Sequence, residues 1–155
     1  RQGPDFSGPW VLTESRRFED FLQAMGVGPL KRKLAAGFTP RQDWAVNSQG
    51  HWQFVVNSPL GPKTEVLAVG HLVSDEVDGV AVTKKTRWDG DDIVTDVVPV
   101  DRGKRAELPD ISLRRSYRPG APGEDALVLE MTCGDVTCER IFRRPGATGP
   151  TPPPP

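Results

Sequence analysis

The chain has 155 residues, a length that fits a single domain with one sizeable core. Its twenty Lys and Arg against twenty-one Asp and Glu give a formal net charge of −1, which argues against a nucleic-acid partner. No apolar run approaches the roughly 20 residues that a membrane-spanning helix needs. Because no secretory pattern follows Arg1 and there are only two cysteines, we expect a soluble, reduced, intracellular protein.

The first predicted element is a helical segment near the N-terminus. Apolar residues recur at the i, i+3, i+4, i+7 spacing of an amphipathic helix, namely Phe18, Phe21, Leu22 and Met25. Ser15 is the candidate N-cap. After two glycines, Pro29 is placed to begin a second helix through Lys31–Ala36. The pattern therefore predicts a short helix–turn–helix.

The rest of the chain consists of short alternating segments separated by turn sequences. The predicted strands are Trp44–Val46, His51–Asn57, Thr64–Val69, Leu72–Val77, Val80–Trp88, Ile93–Val100, Ile111–Arg118, Leu127–Cys133 and Val136–Arg143, with a first strand around Trp10–Thr13. Hairpin spacing without crossover helices indicates an antiparallel meander, and about ten strands close more easily into a barrel than they leave open edges. We predict an all-β fold: a ten-stranded antiparallel up-and-down barrel, calycin-like, over residues 1–144. The helical cap covers residues 16–37, and the interior is wide enough for a small ligand.

The C-terminal segment differs in composition from the domain. Six of the sixteen prolines fall within residues 145–155, which contain almost nothing apolar to bury. This composition predicts a disordered or polyproline-II tail. An alternative is that the tail acts as a docking peptide and the barrel as a non-enzymatic interaction scaffold.

Two arginines stand on strand faces that are otherwise apolar. Arg115 shares its face with Ile111, Leu113 and Tyr117, and Arg140 shares its face with Val136, Cys138 and Phe142. An unpaired charge there is expensive, and no acidic residue shares either face. The simplest anion is the carboxylate of a ligand inside the barrel, which guanidinium groups bind well. Two alternatives remain: an acidic residue on another strand, or an arginine that reaches solvent at the rim.

No constellation in the sequence supports catalysis or metal binding. His51 and His71 lack the clustered partners of a zinc site. Cys133 and Cys138 flank a two-residue turn and could pair, but free buried thiols are the expectation in the cytosol. Phosphate loops, paired carboxylates and nucleophile elbows are absent. We therefore expect no enzyme activity, no metal and no cofactor.

Segments at both ends of the chain carry a family resemblance. They are Pro4-Asp5-Phe6-Ser7-Gly8-Pro9-Trp10, Phe18-Glu19-Asp20-Phe21-Leu22, Met25-Gly26-Val27-Gly28, Arg32-Lys33-Leu34-Ala35 and Asp135-Val136-Thr137-Cys138-Glu139-Arg140-Ile141-Phe142. Together they resemble the intracellular lipid-binding proteins, which comprise the fatty acid-binding and cellular retinoid-binding proteins. The resemblance is collinear over about residues 4–144. It implies a barrel capped by two helices that carries one hydrophobic carboxylate, retinoic acid or a long-chain fatty acid.

Within that family the retinoic acid-binding branch is nearest. The supporting positions are Ser58, Lys63-Thr64-Glu65, Val77-Asp78-Gly79, Trp88, Asp135-Val136 and Cys138, together with Arg140. Those proteins hold the carboxylate with two arginines and a tyrosine. Arg115 and Arg140 match the arginines, Phe142 stands at the tyrosine position, and Tyr117 completes the predicted ligand-binding set. Retinol-binding members have glutamines at the arginine positions, which argues against an alcohol ligand.

A basic cluster lies on the second predicted helix at Lys31, Arg32 and Lys33. In retinoic acid-binding members comparable residues form a nuclear import surface, but the position expected from the first helix is Gln23 here. A solvated helix face and transient contact with anionic membranes remain alternatives. The resemblance further implies a monomer in the cytoplasm, with the nucleus as a second location.

Overall fold

The computed structural model describes residues 3–100 and 109–146, so the predicted tail lies outside the described residues from residue 147 onward. The elements in chain order are β1 (Gly8–Arg16), α1 (Phe18–Ala24), α2 (Pro29–Ala36), β2 (Arg41–Val46), β3 (Trp52–Val56), β4 (Lys63–Leu67), β5 (Leu72–Val77), β6 (Val80–Asp89), β7 (Asp92–Pro99), β8 (Ile111–Arg118), β9 (Ala126–Cys133) and β10 (Val136–Arg143). Each strand thus falls where alternation predicts one, with ends shifted by a few residues.

The ten strands form one antiparallel sheet in the order β4-β3-β2-β1-β10-β9-β8-β7-β6-β5. Sequential strands are neighbours, and the first strand pairs with the last, as in an up-and-down barrel. The predicted barrel with its two-helix cap is confirmed. The first and last strands of this order, β4 and β5, are the two edges of the curled sheet. No ladder joins them within the part of the chain that the structure describes. A bridge between Val69 and Thr86 lies beside this gap.

The start of α1 differs from the predicted cap. Ser15 belongs to β1, which runs on to Arg16 opposite Glu139 of β10. The cap residue is Arg17 in a left-handed conformation at φ 60°, without a side-chain cap bond. The Ser15 prediction is wrong because pairing with β10 keeps that residue extended. Pro29 does begin α2, as predicted.

The core has two main parts. Beneath the helices, Phe21 and Leu22 of α1 pack with Val82 and Cys138 of the sheet. At the barrel end remote from the helices, aromatic rings fill the interior: Phe6 stacks on Trp44 at 5.2 Å between ring centroids, and Trp44 stacks on Phe54 at 4.7 Å. One end of the barrel is therefore solid, and the open space lies toward the helical cap.

Arg144 hydrogen-bonds the N-terminal segment to the aromatic end of the barrel. Its Nη1 donates to the carbonyl oxygens of Ser7 and Pro9 at 2.7 and 3.3 Å. Its Nε donates to Asp125 at 3.3 Å, and the guanidinium carbon lies 3.6 Å from the centroid of the Trp10 ring. Cation–π contact and charge-assisted bonds at a partly desolvated site are stronger than at an exposed one.

Replacing Arg144 with Met should lower the free energy of unfolding, because the two carbonyls lose the guanidinium donor and Asp125 loses its charged partner. We expect a loss of about 1–3 kcal/mol, which is a Tm roughly 3–10 °C lower. Differential scanning calorimetry measures it. Arg143→Met is the matched control, since Arg143 is exposed and reaches Glu124 O at a long 3.4 Å. Equal Tm values for the two variants would contradict the assignment.

Candidate functional site

A cavity of about 880 Å³ opens beneath the helical cap. That volume lies in the range of small-molecule sites in proteins, which is about 300–1,000 Å³. Its walls come from both helices, the β3–β4 turn and the inner face of the sheet, and include Leu22, Leu34, Leu60, Leu129, Arg140 and Phe142. The cavity is thus an apolar space with one buried cation on its wall.

Arg140 is that cation. The alternation of β10 turns it inward, and it is 5% exposed. Its guanidinium carbon lies 3.6 Å from the centroid of the Phe18 ring of α1, and its Nη1 has no hydrogen-bond partner. Burial lowers the pKa of Arg140 to about 10, so the side chain is still charged at neutral pH. A buried, charged donor without an acceptor faces the cavity.

Phe142 lies two residues further along the same face of β10. It is 2% exposed and lines the same cavity as Arg140. The structure therefore brings these two predicted residues together. Phe142 offers an apolar edge there and no hydroxyl group.

Arg115 faces a different cavity, of about 270 Å³, in the gap between β4 and β5. It is 4% exposed, its guanidinium carbon lies 5.2 Å from the centroid of the Phe54 ring, and its Nη1 has no hydrogen-bond partner. Its Nη2 lies 4.0 Å from Oε2 of Glu65, at the limit of an ion pair and beyond hydrogen-bond distance. Burial lowers the pKa of Arg115, and the Glu65 charge opposes that effect.

Glu65 is not among the site residues that the sequence predicts. Burial raises its carboxyl pKa, but Arg115 and Lys84 outweigh burial, and the net pKa is lowered. Lys84 Nζ lies 3.2 Å from Glu65 and 2.7 Å from Asp75, which ties β4 to β5 across the gap. One alternative from the sequence was that a buried arginine pairs with an acidic residue on another strand. For Arg115 the structure bears this out in part. The sequence signal for Glu65 is its position two residues before Leu67, because alternation places both on the same face of β4 and Leu67 is buried.

Tyr117 lies apart from both cavities. Its hydroxyl donates to Asp125 at 3.0 Å, and its ring packs edge-on against Phe6 and Trp10, at 6.1 and 6.4 Å between ring centroids. Burial and the bond to Asp125 raise its pKa. The structure places it in the aromatic end of the barrel, while Arg115 and Arg140 point into open space.

The histidines and cysteines lie elsewhere. The rings of His51 and His71 are 5.5 Å apart, and within residues 3–100 and 109–146 no three His, Cys, Asp or Glu side chains are grouped to hold a metal ion. Cys133 and Cys138 are buried free thiols, and burial raises the pKa of Cys138 to about 11. Among these same residues no helix is long and apolar enough to span a bilayer.

No protein-family model matches the chain. Curated relatives include cellular retinoic acid-binding protein 2 of Bos taurus, 27% identical over 143 residues that cover 91% of this chain and 99% of the relative. Sodium/calcium exchanger regulatory protein 1 of Doryteuthis pealeii is 26% identical over 141 residues, with 90% and 96% covered.

Solved structures are also similar to the chain over most of its length. The REP1-NXSQ fatty acid transporter is 26% identical, with a TM-score of 0.74 and coverage of 90% of this chain and 96% of that one. A fatty acid-binding protein from brain tissue of Drosophila melanogaster has the same TM-score at 19% identity and shares the fold, with 90% and 100% covered. The collinear relatives, the ten-stranded sheet with its helical cap and the cavity beneath it lead to one conclusion: in sequence and in fold the chain is similar to the intracellular lipid-binding proteins.

Proposed function

We propose that this protein is a non-enzymatic carrier that binds one small hydrophobic carboxylate inside the barrel, for solubilisation and transport. The observation that carries the proposal is the unpartnered Nη1 of Arg140, a 95%-buried cation on the wall of an apolar cavity. A carboxylate would accept its hydrogen bond and neutralise its charge, while an alkyl or polyene chain would fill the apolar space.

The charge balance favours an acid over an alcohol. A buried guanidinium without an anion is a cost to the empty barrel, and an alcohol can accept one bond but cannot offset the charge. Phe142 supplies no second donor, so the Arg140 contact carries more of the head-group recognition than it would beside a tyrosine.

The relatives' names are consistent with this chemistry. They include retinoic acid-binding proteins and a fatty acid transporter, and both ligand classes place a carboxylate on a long apolar body. That shared chemistry is what Arg140 and the cavity would recognise. Retinoic acid and a long-chain fatty acid are therefore the expected ligands, and binding should require their free carboxylate.

The cap offers a route for the ligand. Leu30 and Leu34 of α2 and Leu60 of the β3–β4 turn are 74%, 64% and 100% exposed, and Leu34 and Leu60 border the cavity. With Lys31 and Lys33 beside them, these leucines would suit brief contact with an anionic membrane during transfer. We expect the carrier to act as a monomer in the cytoplasm and also in the nucleus.

The alternative function, a scaffold that docks partners through its Pro-rich tail, gains no support. From residue 147 onward the tail lies outside the described residues, and no relative's name points to it. Native mass spectrometry separates the two functions: a carrier purified from cells retains a lipid, and a scaffold does not.

Replacing Arg140 with Gln should weaken carboxylate binding, because a charge-assisted contact is lost. We expect about a ten- to hundredfold higher Kd for retinoic acid and oleate, and little change for retinol. Tryptophan fluorescence titration measures each Kd, with Arg143→Gln on the outer face of β10 as the control. If acid and alcohol affinities fall together, Arg140 is a structural residue.

Replacing Arg140 with Met should stabilise the protein when it is free of lipid. Because burial lowers the pKa of Arg140 from its ordinary value to about 10, the charge destabilises the empty fold at every pH below about 10. At pH 7 we expect a Tm higher by a few degrees in the delipidated variant. Oleate should then raise the Tm of the wild type more than that of the variant. A Tm several degrees lower would mean that the contact with Phe18 outweighs the cost of burying the charge.

A further inference from the structure

We propose that His51 and His71 together bind a divalent transition-metal ion, Cu²⁺ or Zn²⁺, at the aromatic end of the barrel. The two imidazole rings supply two ligands, and water fills the remaining positions around the ion. This site goes beyond the proposed carrier function, because neither histidine lines the cavity beneath the helices.

The first argument is that the fold brings together the two histidines of the chain. His51 directly precedes β3 and His71 directly precedes β5, so β3 and β4 separate them in the sequence. Trp52 of β3 lies opposite Leu67 of β4, which places the residue before Trp52 beside the loop that follows Leu67. The two ring centroids are 5.5 Å apart. Spacing in the sequence does not reveal this contact, which is why no metal is expected from the sequence.

The second argument is the separation of the two rings. An imidazole nitrogen binds Zn²⁺ at about 2.1 Å, so one ion shared by two rings keeps their centroids roughly 5 Å apart. The observed 5.5 Å is close to that value, and the ring planes are nearly perpendicular at 84°. A histidine ring turns easily because its χ2 torsion has broad energy wells. Binding one ion therefore requires ring rotation, for which the exposed His71 has room.

The third argument is that the ring nitrogens have no competing partner. Among the residues that the structure describes, neither ring makes a hydrogen bond or an ion pair beyond the contact of the two rings with each other. A neutral imidazole carries one nitrogen lone pair, and this lone pair is the metal ligand. His51 is half-buried and His71 is exposed, so an ion in solution can reach both rings.

The fourth argument is that the backbone holds both histidines in place. Each follows a glycine in the left-handed region, Gly50 at φ 82° and Gly70 at φ 85°. The Asn47 side chain accepts a hydrogen bond from the N–H of His51 at 3.0 Å, and the N–H of Asn47 donates to His51 O at 2.8 Å. The N–H of Gly70 donates to a carbonyl of β6 at 3.1 Å, and that of His71 to a carbonyl of its own loop at 3.1 Å. Because the turns are already ordered, binding an ion costs little further ordering of the chain.

The donor set decides which ion binds. Ca²⁺ and Mg²⁺ prefer oxygen ligands, whereas imidazole suits Cu²⁺ and Zn²⁺. Structural zinc sites use four protein ligands, and the described part of the chain groups no three His, Cys, Asp or Glu side chains. The two-histidine site is therefore exchangeable. Cu²⁺ should bind to it more tightly than Zn²⁺, as it does at nitrogen sites in general.

The test titrates Cu²⁺, Zn²⁺ and Mg²⁺ separately into the full chain, prepared without a histidine tag. Trp52 adjoins His51, and bound Cu²⁺ quenches the fluorescence of a nearby indole ring. For the wild type we expect saturable quenching by a single equivalent of Cu²⁺, competition by excess Zn²⁺ and no competition by Mg²⁺. In His51→Gln and in His71→Gln, the Cu²⁺ concentration at half-quenching should rise at least about tenfold, because only one imidazole remains.

Further variants and a second measurement define the pair. Gln49→Ala changes an exposed side chain in the same turn as His51 and should leave the titration unchanged. The double variant His51→Gln/His71→Gln should bind Cu²⁺ about as weakly as either single variant, because the two rings act as one chelating unit. Electron paramagnetic resonance of the Cu²⁺-loaded wild type should show coupling to two imidazole nitrogens. Calorimetry confirms that each variant is folded.

Three outcomes would overturn the shared site. The first is the absence of saturable quenching in the wild type. The second is an unchanged titration in either single variant, which would mean that Cu²⁺ binds elsewhere or at one histidine only. The third is a resonance spectrum with a single imidazole nitrogen. In all three cases the proposed carrier function stands, because lipid binding is measured separately.

Discussion

Two positive charges buried in an apolar interior are the constraint around which this barrel is organised. Arg115 and Arg140 are at most 5% exposed, and each keeps a guanidinium nitrogen without a hydrogen-bond partner. The surroundings relieve part of that cost with the faces of Phe18 and Phe54 and with the distant carboxylate of Glu65. What remains is unmet bonding capacity, and a ligand can supply the missing acceptors. In the carrier function that we propose, the cost to the empty protein is also the source of affinity for an anionic lipid.

The open edge between β4 and β5 gives this site its second feature. A fully closed ladder would have packed these two strands together and removed the cavity that Arg115 faces. Instead, Lys84 holds both edges through Glu65 and Asp75, so charged side chains replace backbone hydrogen bonds across the gap. These ion pairs make the interior wall at the β4–β5 gap polar, whereas the wall beneath the helices is apolar.

The two ends of the barrel differ in how firmly they are built. Stacked rings and the clamp of Arg144 fill one end, where Trp10 Nε1 also donates to Phe6 O at 2.8 Å. At the other end α2 buries no residue, and an ion pair from Lys31 to Asp78, 3.1 Å long, links it to the β5–β6 turn. Rigid support beneath the binding groups and a lightly held cap above them suit a carrier that must load and release its ligand.

Much of this structure follows from the sequence alone. Period-two alternation gives the strands and puts Arg115 and Arg140 on the inner face, because neighbouring side chains in a strand point to opposite sides. Pro29 marks the start of α2 for an equally local reason. The local pattern makes Ser15 a candidate cap, but its conformation depends on pairing with β10, a partner far away in the chain. Alternation also cannot tell which strands meet across a barrel. Only the curl of the sheet decides that Glu65 of β4 faces Arg115 of β8, that Tyr117 bonds to Asp125 at the closed end, and that the two arginines open into separate cavities. A strand's sequence determines which side chains point inward, and tertiary closure determines what they meet there.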